Sequence, residues 1–482
     1  MASDSSPAER TFAWVDEAVP RYESFHTVAE LHERSRKLTA AHDHVDYERL
    51  GETAGGEPLW AVTVGEGTHT ALWFGAPDAN EPIGTLTVDF LASEVATNPA
   101  VRDSLDYELV CVPVADPDGV RRNEGWFDGP FTLANYALKF YRTPPDEQVE
   151  ATFPLEHEGY TFDDPPAGTV ALATLIDRYE PDFLYSLHNA AFGGCYYYLT
   201  QPLDPIHDTL TSLPASYDVH RGEPEWHHAE TYEDGVYGLP TFEAMLADVQ
   251  QQDGVDPEEA LFGGNAYDYA SRGTDDADRV AETTESATDE VFELVVELPY
   301  FSERQIADQT ELDRTREAVI REGVETKLAL IDDVRAEIDA VEHLLPETNL
   351  ARESTGAFAH FADEFRGKRH WAESAPETDQ PATVAQQVDE QYVHQYDLLT
   401  YLGMLVRAVD TAAVTTDGDE RQTLLEAKRS LLDTFHDRLT DLRRALDYQT
   451  VPIWKLVAIQ ARAGLICMDY WARERDTVGH EC

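Results

Sequence analysis

The sequence predicts an α/β fold: a mixed, mainly parallel sheet flanked by helices over residues 1–305, followed by an all-α helical bundle over 306–482. Three observations predict it. Between residues 24 and 300, short apolar runs alternate with stretches of helical spacing. After about Arg304 the strand signals stop, and apolar residues recur at three- and four-residue steps. Hydrophobic residues make up 42% and aromatics 10% of the 482 positions, enough for a packed core despite 93 acidic against 36 basic side chains.

Taken in order, residues 24–46 read as a helix, with Phe25, Val28, Leu31 and Leu38 on one face. Leu59–Val64 and Thr70–Phe74 are apolar runs joined by the Gly65–Gly67 turn and read as neighbouring strands. Ile83–Ala96 returns to helical spacing. Glu108–Val114 is a further buried strand, Val170–Arg178 a helix, and Phe183–Leu187 a strand after the Pro181-Asp182 break. Tyr196–Leu199 and Val291–Leu298 complete the strands. Residues 201–290, rich in Gly, Asp and Glu with weak periodicity, read as loops and short helices of the kind that carry substrate contacts. Beyond them Val324, Leu328, Ile331, Val334, Ile338, Val341 and Leu345 mark a long amphipathic helix. A polar stretch (372–385) precedes three more helices, Tyr392–Val409, Arg421–Leu446 and Ile453–Trp471.

The formal charge of −57 argues against nucleic acid or an anionic membrane as partner. Only six of the basic residues are lysines. An acidic surface nearly free of Lys suits a cytoplasm with multimolar salt, where the Debye length is about 3 Å or less and self-repulsion is screened. The N-terminal stretch has no signal-peptide pattern, and no window of 18 apolar residues stands out as a membrane span. Cys111, Cys195, Cys467 and Cys482 form no C-x-x-C pair and read as reduced thiols. No glycine-rich nucleotide loop is present.

Three segments place polar residues at the ends of apolar strands, where α/β folds build their sites. In Gly75-Ala-Pro-Asp-Ala-Asn-Glu-Pro-Ile-Gly84, Asp78 and Glu81 are spaced either to converge on a cation or to cap the following helix. His188 directly follows the strand Phe183–Leu187, as a ligand or as a structural histidine. Glu297 interrupts an apolar run; it is either a buried carboxylate that needs a partner or cation, or the residue that ends the strand at solvent.

Together these segments resemble the zinc carboxypeptidase family of metallopeptidases. Tyr47–Val64 resembles the strand pair that opens the family's sheet, Gly75–Gly84 its His-x-x-Glu metal loop, and Val114–Gly119 its Asn-Pro-Asp-Gly turn. Ser186–Asn189 resembles the strand with the last metal ligand, and Val296–Pro299 the strand with the catalytic Glu. The resemblance covers roughly residues 20–305 and implies Zn²⁺ held by Asp78, Glu81 and His188, with Glu297 as general base. It further implies an arginine on the oxyanion and another on the substrate carboxylate. Arg142 is the first candidate, followed by Arg122 and Asn123.

Where the family has its first ligand His, this chain has Asp78, and Asn80 stands where an arginine is usual. The ligand charge becomes −2 rather than −1, which acidifies bound water less and shifts preference toward harder cations such as Mn²⁺. Three functions are compatible with these residues: a peptidase cutting next to a free carboxylate, a related amidase or deacylase of N-acyl amino acids, or a catalytically silent relative that serves binding or assembly. The helical third packs on the α/β part, forms a homo-oligomer interface, or lids the cleft.

Overall fold

The computed structural model describes residues 11–157, 160–224, 226, 229–250, 261–271 and 291–479. Its centre is a nine-stranded mixed sheet. In chain order its strands are β1 (Val45–Glu52), β2 (Pro58–Val64), β3 (His69–Gly75), β4 (Tyr107–Val112), β5 (Phe183–Leu187), β6 (Tyr196–Leu199), β7 (Thr231–Glu233), β8 (Val236–Gly238) and β9 (Phe292–Glu297). Across the sheet they run β1-β2-β4-β3-β5-β9-β6-β8-β7. The parallel pairings β4–β3, β3–β5 and β5–β9 lie side by side at the centre. The antiparallel β1–β2 hairpin closes one side and β8–β7 the other.

The central strands read as continuous apolar runs because both faces are covered. Ala71 and Trp73 of β3 join one core with Leu109 and Cys111 of β4. The alternate residues Leu72, Phe74, Val110 and Val112 join a second core on the other face, under Leu172, Leu175 and Ile176. Those three belong to the helix Ala167–Tyr179.

The flanking helices are α1 (Val28–Ala41) and α2 (Ile83–Thr97) on the first face, and α3 (Ala167–Tyr179) on the second. α1 is shorter than the 24–46 helix the sequence suggests. Thr27 and Glu30 form a capping box that sets its start, and the chain turns into β1 at Val45. The strand expected over Val291–Leu298 stops at Glu297, and a separate short strand, Pro299–Ser302, pairs with other segments.

The C-terminal region holds α4 (Arg316–Val341), α5 (Asn349–Ser374), α6 (His394–Thr415), α7 (Gly418–Ala445) and α8 (Ile453–Gly479). α6 forms most of the helical run Val384–Thr415, which is long and apolar enough to cross a membrane by length and composition. Leu398, Leu399, Leu402, Leu405 and Val409 are nevertheless buried in the protein core. α8 leaves the other helices and lies on the first face of the sheet. Gly464 makes this possible, since a Cβ there would sit 2.4 Å from the Trp73 ring. Around that contact the Trp73 indole N–H donates to Met468 Sδ (3.2 Å), the Tyr107 hydroxyl to the Met468 carbonyl (3.0 Å) and the Tyr185 hydroxyl to the Gln460 carbonyl (3.0 Å). Cys111, Cys195 and Cys467 are buried free thiols; Cys482 lies outside the described residues.

Candidate metal centre

Strand register brings the candidate residues to one level. Gly75 of β3 pairs with Leu187 of β5, and Leu187 pairs with Val296 of β9. Because the three strands are parallel neighbours, the residues that follow leave the sheet at the same edge. His188 and Glu297 are therefore adjacent, and the loop after β3 opens beside them.

That loop is pressed onto the strand ends by two glycines. A Cβ on Gly75 would lie 2.6 Å from the Gly84 carbonyl carbon, and a Cβ on Gly84 would lie 2.7 Å from Leu187 Cβ. Ala76 takes a left-handed φ of 49° to turn the chain. The Ala115 and Asp116 amides donate to the carbonyls of Gly75 (2.9 Å) and Ala76 (3.2 Å), which fixes the loop from the β4 side. Asp78 and Glu81 do not cap α2: its N-cap is Pro82, with no side-chain capping bond.

The buried side chains of Asp78, Glu81 and His188 offer donor atoms that all lie within 4.8 Å of one another. His188 Nδ1 is 2.9 Å from Glu81 Oε2, 3.8 Å from Asp78 Oδ2 and 3.9 Å from Glu297 Oε1. The Asn189 amide donates to Glu81 Oε2 (3.0 Å), and Asn189 Oδ1 accepts from the Ile83 amide (3.3 Å), locking the α2 start to the β5 end. Burial, and then Asp78, raise the Glu81 carboxyl above its usual range. Burial works against a charged His188, but Glu150 and Glu81 outweigh it and hold the imidazole's pKa well above the ordinary value.

Glu150 is the residue the sequence reading missed. Its Oε2 contacts His188 Nε2 and accepts from the Ser186 hydroxyl at 2.8 Å. This leaves Nδ1 for the cluster and fixes the ring, as outer-shell carboxylates do for metal-bound imidazoles. Glu150 belongs to no helix or strand and sits in no motif, so no local pattern marks it. Gln460 of α8 is a second such residue: its amide donates to the His188 carbonyl (2.7 Å) and its Oε1 accepts from Thr87 (2.8 Å).

Arg142 reaches the cluster, with Nη2 2.9 Å from Asp78 Oδ2 and Nη1 3.8 Å from Glu81 Oε1. The other two expected substrate-binding residues are not brought to it. Arg122 is exposed and stacks over the Tyr141 ring at 4.8 Å. Asn123 is fully buried and spends its amide on the backbone and on the Trp126 indole. Its Nδ2 donates to the carbonyls of Ala79 (2.9 Å) and Tyr141 (2.8 Å), and its Oδ1 accepts from the Tyr141 amide (2.9 Å) and the Trp126 indole (3.1 Å). It ties the Asp78–Glu81 loop to the segment carrying Arg142 and has nothing left for substrate.

His69 begins β3 at the opposite edge of the sheet, and the His220 carbonyl accepts from the Cys195 amide; neither belongs to the cluster. His227 and His228 lie outside the described residues.

No family model matches the chain, and neither does any curated protein. Among solved structures it is similar to bovine thrombin-activatable fibrinolysis inhibitor in complex with a tick carboxypeptidase inhibitor (13% identity, 57% of this chain and 87% of that one, TM-score 0.35). It is also similar to carboxypeptidase A from Helicoverpa armigera (11% identity, 61% and 72%, TM-score 0.36) and to a metallo-carboxypeptidase from Burkholderia cenocepacia (12% identity, 56% and 59%, TM-score 0.32). TM-scores of this size decide nothing about chemistry, which the side chains themselves must carry.

Proposed function

We propose that this chain is a metal-dependent hydrolase of a peptide or amide bond next to a free carboxylate, with Asp78, Glu81 and His188 holding a divalent cation and Glu297 as general base. One observation carries the reading: two carboxylates and an imidazole converge within 4.8 Å at the ends of adjacent parallel strands. The charge balance fits a cation. Among the described residues, the carboxylates of Asp78, Glu81, Glu150 and Glu297 stand around His188, with the Arg142 guanidinium against them. With all four carboxylates ionised these groups sum to −4 + 1 = −3, or −2 with His188 protonated, a balance that a divalent cation would offset. One nitrogen and two carboxylate donors suit Zn²⁺ or Mn²⁺.

When bound, the cation would polarise the scissile carbonyl and make a water more acidic. Glu297, 8% exposed at the end of β9, takes a proton from water and returns it to the leaving nitrogen. Glu150 and Ser186 keep the His188 ring in one orientation. With a cation beside Asp78, Arg142 would be available to hold the substrate's free carboxylate. Substrates of this chemistry are peptides and N-acyl amino acids. Paired assays on both, with and without chelator, separate peptidase from deacylase.

A second reading is favoured by the 2.9 Å Arg142–Asp78 ion pair. If the guanidinium permanently supplies the positive charge, the site is silent and the fold serves binding or assembly. Metal content decides between the two. Purification in high salt followed by zinc, manganese and cobalt analysis gives one equivalent at this site on the hydrolase reading; no metal and no hydrolysis under any cation leave the silent one. The acid excess fits work in a high-salt cytoplasm without nucleic-acid or membrane partners, and a homo-oligomer through the C-terminal helices is tested by sedimentation in multimolar salt.

A further inference from the structure

We propose a second divalent-cation site, formed by His69, Asp106 and Asp476, which pins the end of α8 to the sheet. It lies at the opposite ends of the strands from the cluster around His188. β3 separates the two, roughly 20 Å of chain at about 3.3 Å per residue. Donor atoms of the three residues all lie within 4.8 Å of one another. His69 opens β3, Asp106 directly precedes β4, and Asp476 sits near the end of α8.

The imidazole is what points to a ligand. His69 is only 8% exposed, and its ring lies against Tyr107 with centroids 5.4 Å apart. Nδ1 faces Asp182 Oδ2 at 3.5 Å. Asp182 is itself fixed by the Thr70 amide (2.9 Å) and by Arg475 on its other oxygen (2.9 Å). Nε2 is buried, has no hydrogen-bond partner, and stands 3.6 Å from Asp476 Oδ1. Nε2 thus stands beside the carboxylates of the group without a hydrogen bond to either. A cation among the three would give that nitrogen the partner it lacks.

The surroundings are already set for one. The Thr68 amide and hydroxyl donate to the two oxygens of Asp106 (2.9 and 2.7 Å), so that carboxylate is held in place. Asp182 behind Nδ1 occupies the position of the outer-shell carboxylate that orients a metal-bound imidazole. One imidazole nitrogen and two carboxylates, with further positions open to water, suit Zn²⁺ or Mn²⁺. Such an ion would join the start of β3, the entry to β4 and the last turns of α8, elements far apart in sequence.

The test is stoichiometry on the full chain in multimolar salt, stripped with chelator, reloaded with Zn²⁺ or Mn²⁺ and desalted for elemental analysis. Two equivalents are expected for the native sequence, one for Glu81→Gln and one for His69→Gln. Asp476→Asn, a change at an exposed position, is expected to weaken the second equivalent at least tenfold and to remove the metal-induced rise in melting temperature that Glu81→Gln still shows. The proposal is overturned if Glu81→Gln binds no metal, or if His69→Gln and Asp476→Asn both keep the native stoichiometry. A single equivalent that is lost on both His69→Gln and Asp476→Asn but kept on Glu81→Gln would sustain this site and sink the one around His188.

Discussion

At the residue scale, His188 is gripped from both sides, by Glu81 on Nδ1 and by Glu150 on Nε2. The two carboxylates have separable tasks. Glu150→Gln should weaken metal binding about 10- to 100-fold, the usual loss for an outer-shell partner of a ligating histidine, while leaving the proton-transfer step intact. Equilibrium dialysis with Zn²⁺ measures it, and an unchanged affinity would mean that Glu150 only fills space. Glu297→Gln should do the reverse: retain metal and lower turnover by about 10²–10⁴-fold, the span of general-base contributions. Asp78→His changes the ligand charge from −2 to −1 and should tighten zinc; a variant no tighter than the parent would show that Asp78 pairs with Arg142 and nothing else. That Asp78, Glu81, His188 and Glu297 come together was legible in the sequence, because His188 and Glu297 close apolar strands and Asp78 and Glu81 lie in the turn after a third. Glu150 was not, because it lies in an irregular segment and acts only through a residue 38 positions away.

At the element scale, the central strands were legible because burial on both faces makes them unbroken apolar runs. α5 was not. Its buried positions are mostly small or polar-flanked, Ala351, Ser354, Ala357, Phe358, Ala362, Phe365 and Ala372, and two glycines interrupt it, so the apolar stripe barely registers. Short connecting elements matter as much as long ones. Asp116 caps the turn beside the Asp78–Glu81 loop, accepting from the Gly119 amide (2.9 Å) and the Thr143 hydroxyl (2.5 Å). Burial pushes its carboxyl up to about 6 in spite of those bonds. An acid whose folded pKa lies above its unfolded value stabilises the fold fully below the unfolded value, and that contribution disappears as pH rises through the folded one. Asp116→Asn should therefore gain on the native sequence between pH 4 and pH 7. Unfolding free energies at both pH values check this, and a pH-independent difference would refute it.

At the scale of the whole molecule, the sequence pointed to a helical third but not to where its last helix goes. Periodicity shows that α8 is apolar, not which surface it covers. Removing residues 306–482 would strip α8 from Trp73 and Tyr185, so the 1–305 fragment should be insoluble or unfolded in high salt; a monodisperse, folded fragment would show that the sheet stands without its helical cover. Gly464→Ala is the gentler probe, with about 1–3 kcal/mol lost to overpacking against Trp73, read from guanidinium midpoints. The charge of −57 makes a separate expectation: dialysis from 3 M to 0.1 M salt should unfold the chain, and a melting temperature indifferent to salt would contradict the high-salt reading.

The bond from Gln460 to the carbonyl of His188 spans 272 positions. During synthesis the segments with Glu81, His188 and Glu297 leave the ribosome long before the helix that backs them. The face of the sheet that α8 covers therefore stays bare until translation delivers that helix, and the Gln460 bond to His188 closes only then.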